Sequence, residues 1–90
     1  MLYMVVERFK QGAAADIYRR ARDHGRQLPA GLEYIDSWVD LEFKVCYQLM
    51  RTEDPSLFAV WTNAWNDLVE FEITPVRVSA EAAEAIAPHL

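Results

Sequence analysis

The sequence predicts a single α+β domain of 90 residues. Three observations lead to this prediction. Two segments with apolar residues at helical spacing alternate with short segments rich in aliphatic and aromatic residues. Glycine and proline stand between these segments, where they end helices and strands. The chain is also too short for a second core, so residues 1–90 are expected to form one domain.

The first strand and the first helix occupy the beginning of the chain. Leu2–Phe9 is rich in aliphatic and aromatic residues and stops at Lys10–Gly12, which is typical of a strand followed by a turn. A helix is expected to begin at Ala13, because alanines are followed by an apolar face. That face consists of Ile17, Ala21, His24 and Leu28. The helix ends at Pro29 or, in the alternative, already at Gly25.

Two strands and a second helix follow. Leu32–Val39 and Phe43–Thr52 are predicted strands, and Asp40–Glu42 between them has the length of a hairpin turn. Asp54 and Pro55 then form a helix start, with an N-cap followed by proline at the first helical position. The apolar stripe of this helix consists of Leu57, Phe58, Trp61, Trp65 and Leu68 or Val69.

The chain ends with a strand and a short helix. Phe71–Val78 is the last predicted strand, and Pro75 indicates that it lies at a sheet edge or contains a bulge. Ser79 is expected to cap a helix over Ala80–Ala87, which Pro88 ends.

The resulting β-α-β-β-α-β order is that of the ferredoxin-like fold, also called split βαβ. Because β-α-β units cross right-handedly, both helices are expected on one face of a four-stranded antiparallel sheet, with a short C-terminal helix added.

Both faces of this sheet carry apolar residues. A sheet covered by helices on one side normally alternates apolar and polar residues, whereas Met4 and Val6 oppose Tyr3 and Val5 along the first strand. Large exposed apolar patches are rare in monomers, and a chain of this size buries a limited part of its surface. We therefore expect a homodimer in which the outer sheet faces of two copies meet. The alternative is a set of scattered surface aromatics.

Composition excludes several classes of function. Lysine and arginine number 9 against 14 acidic residues, and the net charge of −5 argues against a nucleic-acid binder and against attraction to an anionic membrane. The chain has no signal-peptide pattern and no apolar run long enough to cross a bilayer, so a soluble cytoplasmic protein is expected. Cys46 is the single cysteine and is expected to be a buried, inert thiol. No cofactor or metal motif is present, so neither is expected.

Five segments resemble an uncharacterised bacterial family that is known only as a domain of unknown function. They are Met4–Phe9, Tyr18–Arg20, Ser37–Asp40, Tyr47–Met50 and Phe71–Ile73. With the element order, they also resemble the dimeric α+β barrel superfamily, which includes muconolactone-isomerase-like and antibiotic-biosynthesis-monooxygenase-like proteins. The resemblance covers nearly the whole chain. It implies a homodimer and a ligand position between helices and sheet, and it implies no active-site residues.

Five aromatic residues form the candidate ligand site. Large rings on the second helix and on the facing strands can enclose an apolar cleft with few polar groups. These residues are Tyr34, Trp38, Tyr47, Trp61 and Trp65. The alternative is an ordinary aromatic core without a cavity.

His24 and Asp36 are weak candidates for acid–base catalysis. His24 is the one histidine inside a predicted element, and its alternative role is structural. Asp36 is expected to share a strand face with Tyr34 and Trp38, where neighbouring rings would raise the pKa of its carboxyl. A helix face with Arg19, Arg22 and Arg26 is expected to be solvated and paired with Asp16 and Asp23, the alternative being an anion site.

Two hypotheses about function remain open at this stage. The first is a protein, or an enzyme without cofactor, that holds a small apolar or aromatic molecule between helices and sheet. The second is a non-catalytic module for dimerisation or protein interaction, with no ligand. The sequence does not decide whether the chain is an enzyme.

Overall fold

The computed structural model describes all 90 residues and contains one antiparallel sheet in the order β2-β3-β1-β4. The strands are β1 (Leu2–Phe9), β2 (Glu33–Val39), β3 (Val45–Arg51) and β4 (Val69–Val76). The helices are α1 (Ala14–His24), α2 (Leu57–Asn63) and α3 (Ser79–Ile86), followed by a 3-10 turn at Ala87–His89. This order confirms the predicted α+β, ferredoxin-like architecture with a short C-terminal helix.

The core lies between the sheet and the helices. Alternate residues of the central strands point into it, so that Tyr3 and Val5 of β1 are buried beside Met50 of β3. The buried cluster consists of Tyr3, Val5, Leu32, Met50, Phe58, Trp61 and Trp65. Ile17 and Ala21 of α1 pack against this cluster. The face of the sheet that is turned towards the helices is therefore the face that carries Tyr3, Val5 and Met50.

Both helices end earlier than their apolar patterns suggest. Helix α1 ends at His24, the residue before the earlier of the two predicted stops, because Gly25 adopts a φ of 67° and its N–H donates to Ala21 O at 2.8 Å. The first expectation, a helix running to Pro29, is wrong. After Asn63, bonds of the tighter i+3 type form, such as Trp65 N–H to Thr62 O at 2.9 Å.

A bidentate ion pair joins the two helical regions. The Arg20 guanidinium of α1 donates to both carboxylate oxygens of Asp67, at 2.8 and 2.7 Å, and also to Ala64 O at 2.9 Å. These donors lower the pKa of Asp67 to about 2. The turns after α2 are thereby fixed against α1.

Aspartate side chains organise two of the connections. Before α2, the Asp54 carboxylate accepts hydrogen bonds from the backbone N–H and the hydroxyl of Ser56, at 3.1 and 2.6 Å. The N-cap of α2 is Ser56 and its first residue is Leu57, so the predicted N-cap at Asp54 and the predicted first helical residue Pro55 are wrong by two positions. Between β2 and β3, the Asp40 carboxylate accepts from the N–H groups of Lys44 and Val45, each at 2.7 Å. The β2–β3 loop is longer than the predicted three-residue turn, and β3 begins at Val45 rather than Phe43.

Strand β2 contains a bulge that changes the facing of its second half. The pairing with β3 slips between Tyr34 and Asp36, leaving Ile35 as the extra residue. Tyr34 therefore points towards the helices together with Ser37, and the two side chains share a hydrogen bond of 2.7 Å. Asp36 and Trp38 point to the opposite face, which we call the outer face of the sheet.

The C-terminal part leaves the body of the domain. Strand β4 is an edge strand, as Pro75 predicts. Ser79 is the first residue of α3 and its side chain makes no capping hydrogen bond, so the prediction that Ser79 caps the last helix is wrong. Every residue from Ser79 to Leu90 is exposed. No helix of the structure has the length and apolar character that crossing a membrane requires.

Candidate functional site

A cleft of about 390 Å³ lies between the sheet, α1 and the two tryptophans Trp61 and Trp65. Nine of the fourteen residues around it are hydrophobic. The apolar walls include Phe9, Ile17, Ala21, Val39, Trp61, Trp65 and Val69. The polar groups in the cleft are few and are contributed mainly by Glu7, Arg26, Ser37 and Gln48. Such a combination is typical of sites that hold small organic molecules.

The two tryptophans fix the loop that follows α1. The indole N–H of Trp61 and that of Trp65 both donate to the backbone carbonyl of Arg26, each at 3.1 Å. A buried indole needs an acceptor, and here one carbonyl serves both rings. The rings thus wall the cleft and also hold Arg26 at its end.

The Arg26 side chain bends over the sheet instead of joining the solvated arginine face of α1. Its guanidinium carbon lies 3.6 Å from the centroid of the Tyr34 ring, a cation–π contact. It also donates to Gln48 Oε1 at 3.2 Å, and the Gln48 amide nitrogen contacts Met50 Sδ at 3.2 Å. Gln48 has only 1% of its surface exposed, so these contacts satisfy a polar side chain inside the core. Arg19 pairs with Asp16, as expected. Asp23 pairs with its chain neighbour Arg22 instead of with Arg19 or Arg26.

Glu7 is the acidic group in the cleft. It occupies the centre of a row of four residues that crosses the sheet on the helix side: Val39, Cys46, Glu7 and Phe71. Partial burial raises the pKa of the Glu7 carboxyl above its ordinary value, and hydrogen bonding to the Cys46 thiol and the charge of Arg26 offset this effect in part.

The same surroundings raise the pKa values of Cys46 and Tyr18. Burial and the neighbouring Glu7 raise the pKa of the Cys46 thiol to about 12, so the thiol stays protonated. The pKa of Tyr18 is also raised, mainly by burial and then by the two acidic neighbours. The Tyr18 ring meets Phe43 edge-on, with centroids 5.9 Å apart, beside the cleft. A carboxyl whose pKa is raised and a thiol that stays protonated thus line one wall.

Over residues 1–90 the chain matches the family model for Domain of unknown function (DUF3303). The chain belongs to the DUF3303 family. Comparison with curated proteins and with solved structures gives no match for the DUF3303 chain.

The structure separates the five aromatic residues predicted to form the ligand site. Trp61 and Trp65 line the cleft of the DUF3303 chain, and Tyr34 lies beside it beneath Arg26. Trp38 and Tyr47 do not face the helices: they are cross-strand partners on the outer face and are 55% and 46% exposed. Their expected facing is wrong because β3 buries Cys46 and Gln48, which turns Tyr47 outwards, and because the bulge in β2 turns Trp38 outwards with it.

Neither predicted acid–base residue lies in the cleft. His24 is exposed at the end of α1. Asp36 is exposed on the outer face, where it shares a side with Trp38 but not with Tyr34, and its carboxylate accepts a hydrogen bond from Ser37 N–H at 2.8 Å. The acidic residue that sequence reasoning missed is Glu7. Its signal was present: it follows Tyr3 and Val5 at strand spacing, on the buried face of β1.

The DUF3303 chain brings together no group of three or more histidine, cysteine, aspartate or glutamate side chains with the arrangement of a metal site.

Proposed function

We propose that this chain binds a small, largely apolar or aromatic molecule in the cleft between α1, Trp61, Trp65 and the sheet. The observation that supports this most strongly is the position of Glu7, a carboxyl in the wall of an otherwise apolar cleft. An acidic group in such a place costs folding free energy, and perturbed carboxyls in clefts are characteristic of functional sites.

The cleft has the size and lining that this proposal requires. A volume of about 390 Å³ lies within the usual range for ligand pockets, which is roughly 300–1,000 Å³. The rings of Trp61 and Trp65 offer flat apolar surfaces to an aromatic ligand. Their positions are fixed by the shared hydrogen bonds to Arg26 O, so little ordering is needed when a ligand enters.

The polar groups suggest which ligands fit best. The Glu7 carboxyl donates a hydrogen bond to a carbonyl or hydroxyl oxygen when it is protonated and accepts one from a hydroxyl when it is charged. Arg26 lies nearby with a fixed positive charge, which favours an oxygen with partial negative charge. An aromatic molecule with one carbonyl or phenolic oxygen matches both groups.

Tryptophan fluorescence tests the proposal. Trp38 lies outside the cleft, so a Trp38→Phe background leaves Trp61 and Trp65 as the reporters. Titration with naphthol and with hydroxybenzaldehyde should change this fluorescence and raise the Tm. Ala21→Phe, which fills the cleft, should abolish both effects, whereas Ala15→Phe, at an exposed position of the same helix, should preserve them.

Equal responses of the two alanine variants would contradict binding in the cleft. If neither compound changes the fluorescence or the Tm, a wider panel of small aromatic carbonyl compounds is titrated. If the panel also left both the fluorescence and the Tm unchanged, the cleft would be an unfilled part of an ordinary core.

A second candidate is an interaction module that forms a homodimer through the outer face. The outer face carries a row of Trp38, Tyr47 and Val6, with Met4 and Leu49 in the next row. Ion pairs flank it, Arg8 with Glu72 at 3.2 Å and Arg51 with Glu33 at 3.1 Å. An apolar centre with a polar rim is the usual anatomy of a protein interface.

Sedimentation equilibrium tests the dimer. Tyr47→Glu puts a charge in the centre of the outer face and should shift the chain to monomer. Val60→Glu introduces the same charge at an exposed apolar position of α2 and should leave the dimer intact. A wild-type chain that stays monomeric at high micromolar concentration would refute this candidate without affecting the cleft.

A further inference from the structure

The polar groups of the cleft form one connected chain that ends at Glu7. The Tyr34 hydroxyl and Ser37 Oγ lie 2.7 Å apart. Ser37 hydrogen-bonds Cys46, and the Cys46 thiol hydrogen-bonds the Glu7 carboxyl. At the other end of the chain, the Arg26 guanidinium covers the Tyr34 ring. The Glu7 carboxyl is therefore held in the wall of the cleft by a partner that is itself held.

Glu7 keeps an oxygen free for a ligand. A carboxylate has two acceptor oxygens, whereas the thiol of Cys46 is a single donor. No arginine or lysine forms an ion pair with Glu7, although five of the eight arginines and lysines of the other strands and helices pair with carboxylates elsewhere or lie far along the chain. The carboxylate thus lacks the direct cationic partner that would weaken it as a base.

Arg26 brings unused donors to the same cleft. A guanidinium has five N–H groups, and the hydrogen bond that Arg26 makes within the protein runs from Nη1 to Gln48 Oε1 at 3.2 Å. Its charge is close enough to lower the pKa of Glu7 and that of Cys46. A molecule in the cleft therefore meets a carboxylate and a cationic donor together, between apolar walls.

These two groups have complementary chemistry. Partial burial makes the Glu7 carboxylate a stronger base than an exposed one, because its pKa is raised. Donors fixed in advance stabilise an oxygen on which negative charge develops, and they act more strongly in surroundings of low dielectric constant. A base and such a donor on one cleft are what removal of a proton from carbon beside a carbonyl group requires.

We propose that the cleft catalyses proton transfer at carbon, in which Glu7 removes a proton from the carbon beside a carbonyl group of a bound aromatic molecule and Arg26 stabilises the enolate oxygen. This inference rests on the ligand binding proposed above and adds a reaction to it. The substrate class is an aromatic ketone or aldehyde with C–H bonds beside its carbonyl, and the reaction is a tautomerisation or a shift of a double bond.

The step needs no further reactant. A Glu7 oxygen forms a bond to the proton while the C–H bond breaks, and the electron pair of that bond becomes a C=C bond. The π pair of the carbonyl moves onto oxygen, where the N–H groups of Arg26 stabilise it. Glu7 then returns the proton to the same carbon, or to another carbon of the enolate, and the carboxylate is regenerated. Nothing is oxidised or reduced.

Proton exchange into a ketone tests this proposal. In D2O, loss of the α-proton NMR signals of 2-tetralone should be faster with the wild-type chain than in buffer alone. Glu7→Gln should lower the catalysed rate by at least about a hundredfold, since a general base contributes roughly 10²–10⁴. Its binding of 2-tetralone, followed by tryptophan fluorescence in the Trp38→Phe background, should change little. Glu70→Gln, at an exposed position of β4, should exchange like the wild type.

The pH profile and Arg26 provide separate readouts. Because the base acts in its charged form, the catalysed rate should rise with pH through the folded pKa of Glu7 and then level off, and Glu7→Gln should lack this rise. Arg26→Gln should lower the rate by at least about tenfold, whereas Arg26→Lys keeps the charge and should retain part of it. Both variants keep the backbone carbonyl that holds Trp61 and Trp65.

The outcomes separate this reaction from ligand binding. A wild-type chain that binds 2-tetralone and exchanges its protons no faster than buffer would overturn the reaction and leave binding in the cleft standing. Catalysed exchange that Glu7→Gln retains in full would also overturn it. A chain that neither binds 2-tetralone nor exchanges its protons would contradict the reaction together with the ligand class on which it depends.

Discussion

Glu7 occupies a position of β1 that the strand pattern assigns to an apolar side chain. Its direct neighbours in the row are Phe71 and Cys46, with the apolar Val39 beyond Cys46, and its polar partner there is the Cys46 thiol. Transfer of a charged carboxyl from water to such surroundings is unfavourable, which is why its pKa is raised. Replacement by an uncharged group of the same shape should therefore remove a penalty on folding above the carboxyl's pKa.

The pH dependence of stability provides the test for Glu7. The folded-state pKa lies above the ordinary value of 4.5, so the contribution of this group to stability is complete below that value and is lost as pH rises through the folded pKa. In urea unfolding over a pH series, Glu7→Gln should remove this loss. Glu70→Gln, at an exposed position of β4, serves as the control. If the unfolding free energies of the wild type and of Glu7→Gln vary with pH in parallel, the folded-state pKa of Glu7 is not raised.

The carbonyl of Arg26 is a second residue-scale feature with a measurable effect. Trp61→Phe or Trp65→Phe alone leaves the carbonyl with one donor, whereas the double variant leaves it with none. The double variant should lose about 1 kcal/mol of unfolding free energy beyond the sum of the single variants, because it leaves a partly buried acceptor unpaired. A double-mutant cycle in urea measures this excess, and simple additivity would show that the shared acceptor is replaced by water.

At the scale of elements, the β2–β3 loop depends on one carboxylate. Asp40 accepts from the N–H groups of Lys44, Val45 and Glu42, and these donors lower its pKa. Phe43 in this loop adopts a φ of 58°, in the left-handed region where side chains are disfavoured. The carboxylate therefore holds a loop conformation that the loop residues alone do not prefer.

Substitution of Asp40 should lower the Tm measurably. Asp40→Ala removes all three acceptor contacts, and Asp40→Asn keeps one oxygen and should give an intermediate value. Since the folded pKa is depressed, the contribution of Asp40 is present above its ordinary value of 3.8 and is lost as pH falls through the folded pKa. Thermal unfolding monitored by circular dichroism checks both points, with Glu42→Ala as the control. An unchanged Tm in Asp40→Ala would show that the loop closes without it.

The type and order of the helices and strands could be predicted from local signals. The side of the sheet to which each side chain of β2 points could not. Gly12, Gly25 and Pro55 lie in the connections between elements and can be recognised in the sequence, and they give the correct order of strands and helices. The direction of Trp38 depends on the bulge at Ile35, and no residue of β2 indicates a slip of one position. Strand register is a property of two strands together, so the pattern of one strand cannot determine it.

At the scale of the whole molecule, the cleft contains residues from different elements, and the sequence pattern of one element cannot predict that they lie together. Trp61 and Trp65 were identified as cleft residues because they belong to a helical stripe. Glu7, Arg26 and Cys46 come from β1, the loop after α1 and β3, and the fold brings them together. The sequence shows one acidic residue in a predicted strand and one of several arginines in a predicted helix. Neither pattern indicates that these two side chains line the same cleft.

Association should make stability depend on concentration. If two copies share their outer faces, the folded state is favoured by mass action, and the Tm should rise with protein concentration. Tyr47→Glu should abolish this rise, while Val60→Glu should preserve it. Scanning calorimetry over a wide range of concentrations measures the effect. A Tm that is independent of concentration in the wild type would exclude a dimer that contributes to stability.

The edges of the sheet have a consequence for aggregation. Strand β2 is interrupted by its bulge. Strand β4 contains Pro75, which has no N–H to donate, and also carries the carboxylates of Glu70 and Glu72. Bulges, prolines and charges on edge strands discourage the addition of further strands. We therefore expect concentrated solutions of this chain to resist growth into fibrils by edge-to-edge pairing, so that copies meet through faces rather than through a continuous ladder of backbone hydrogen bonds.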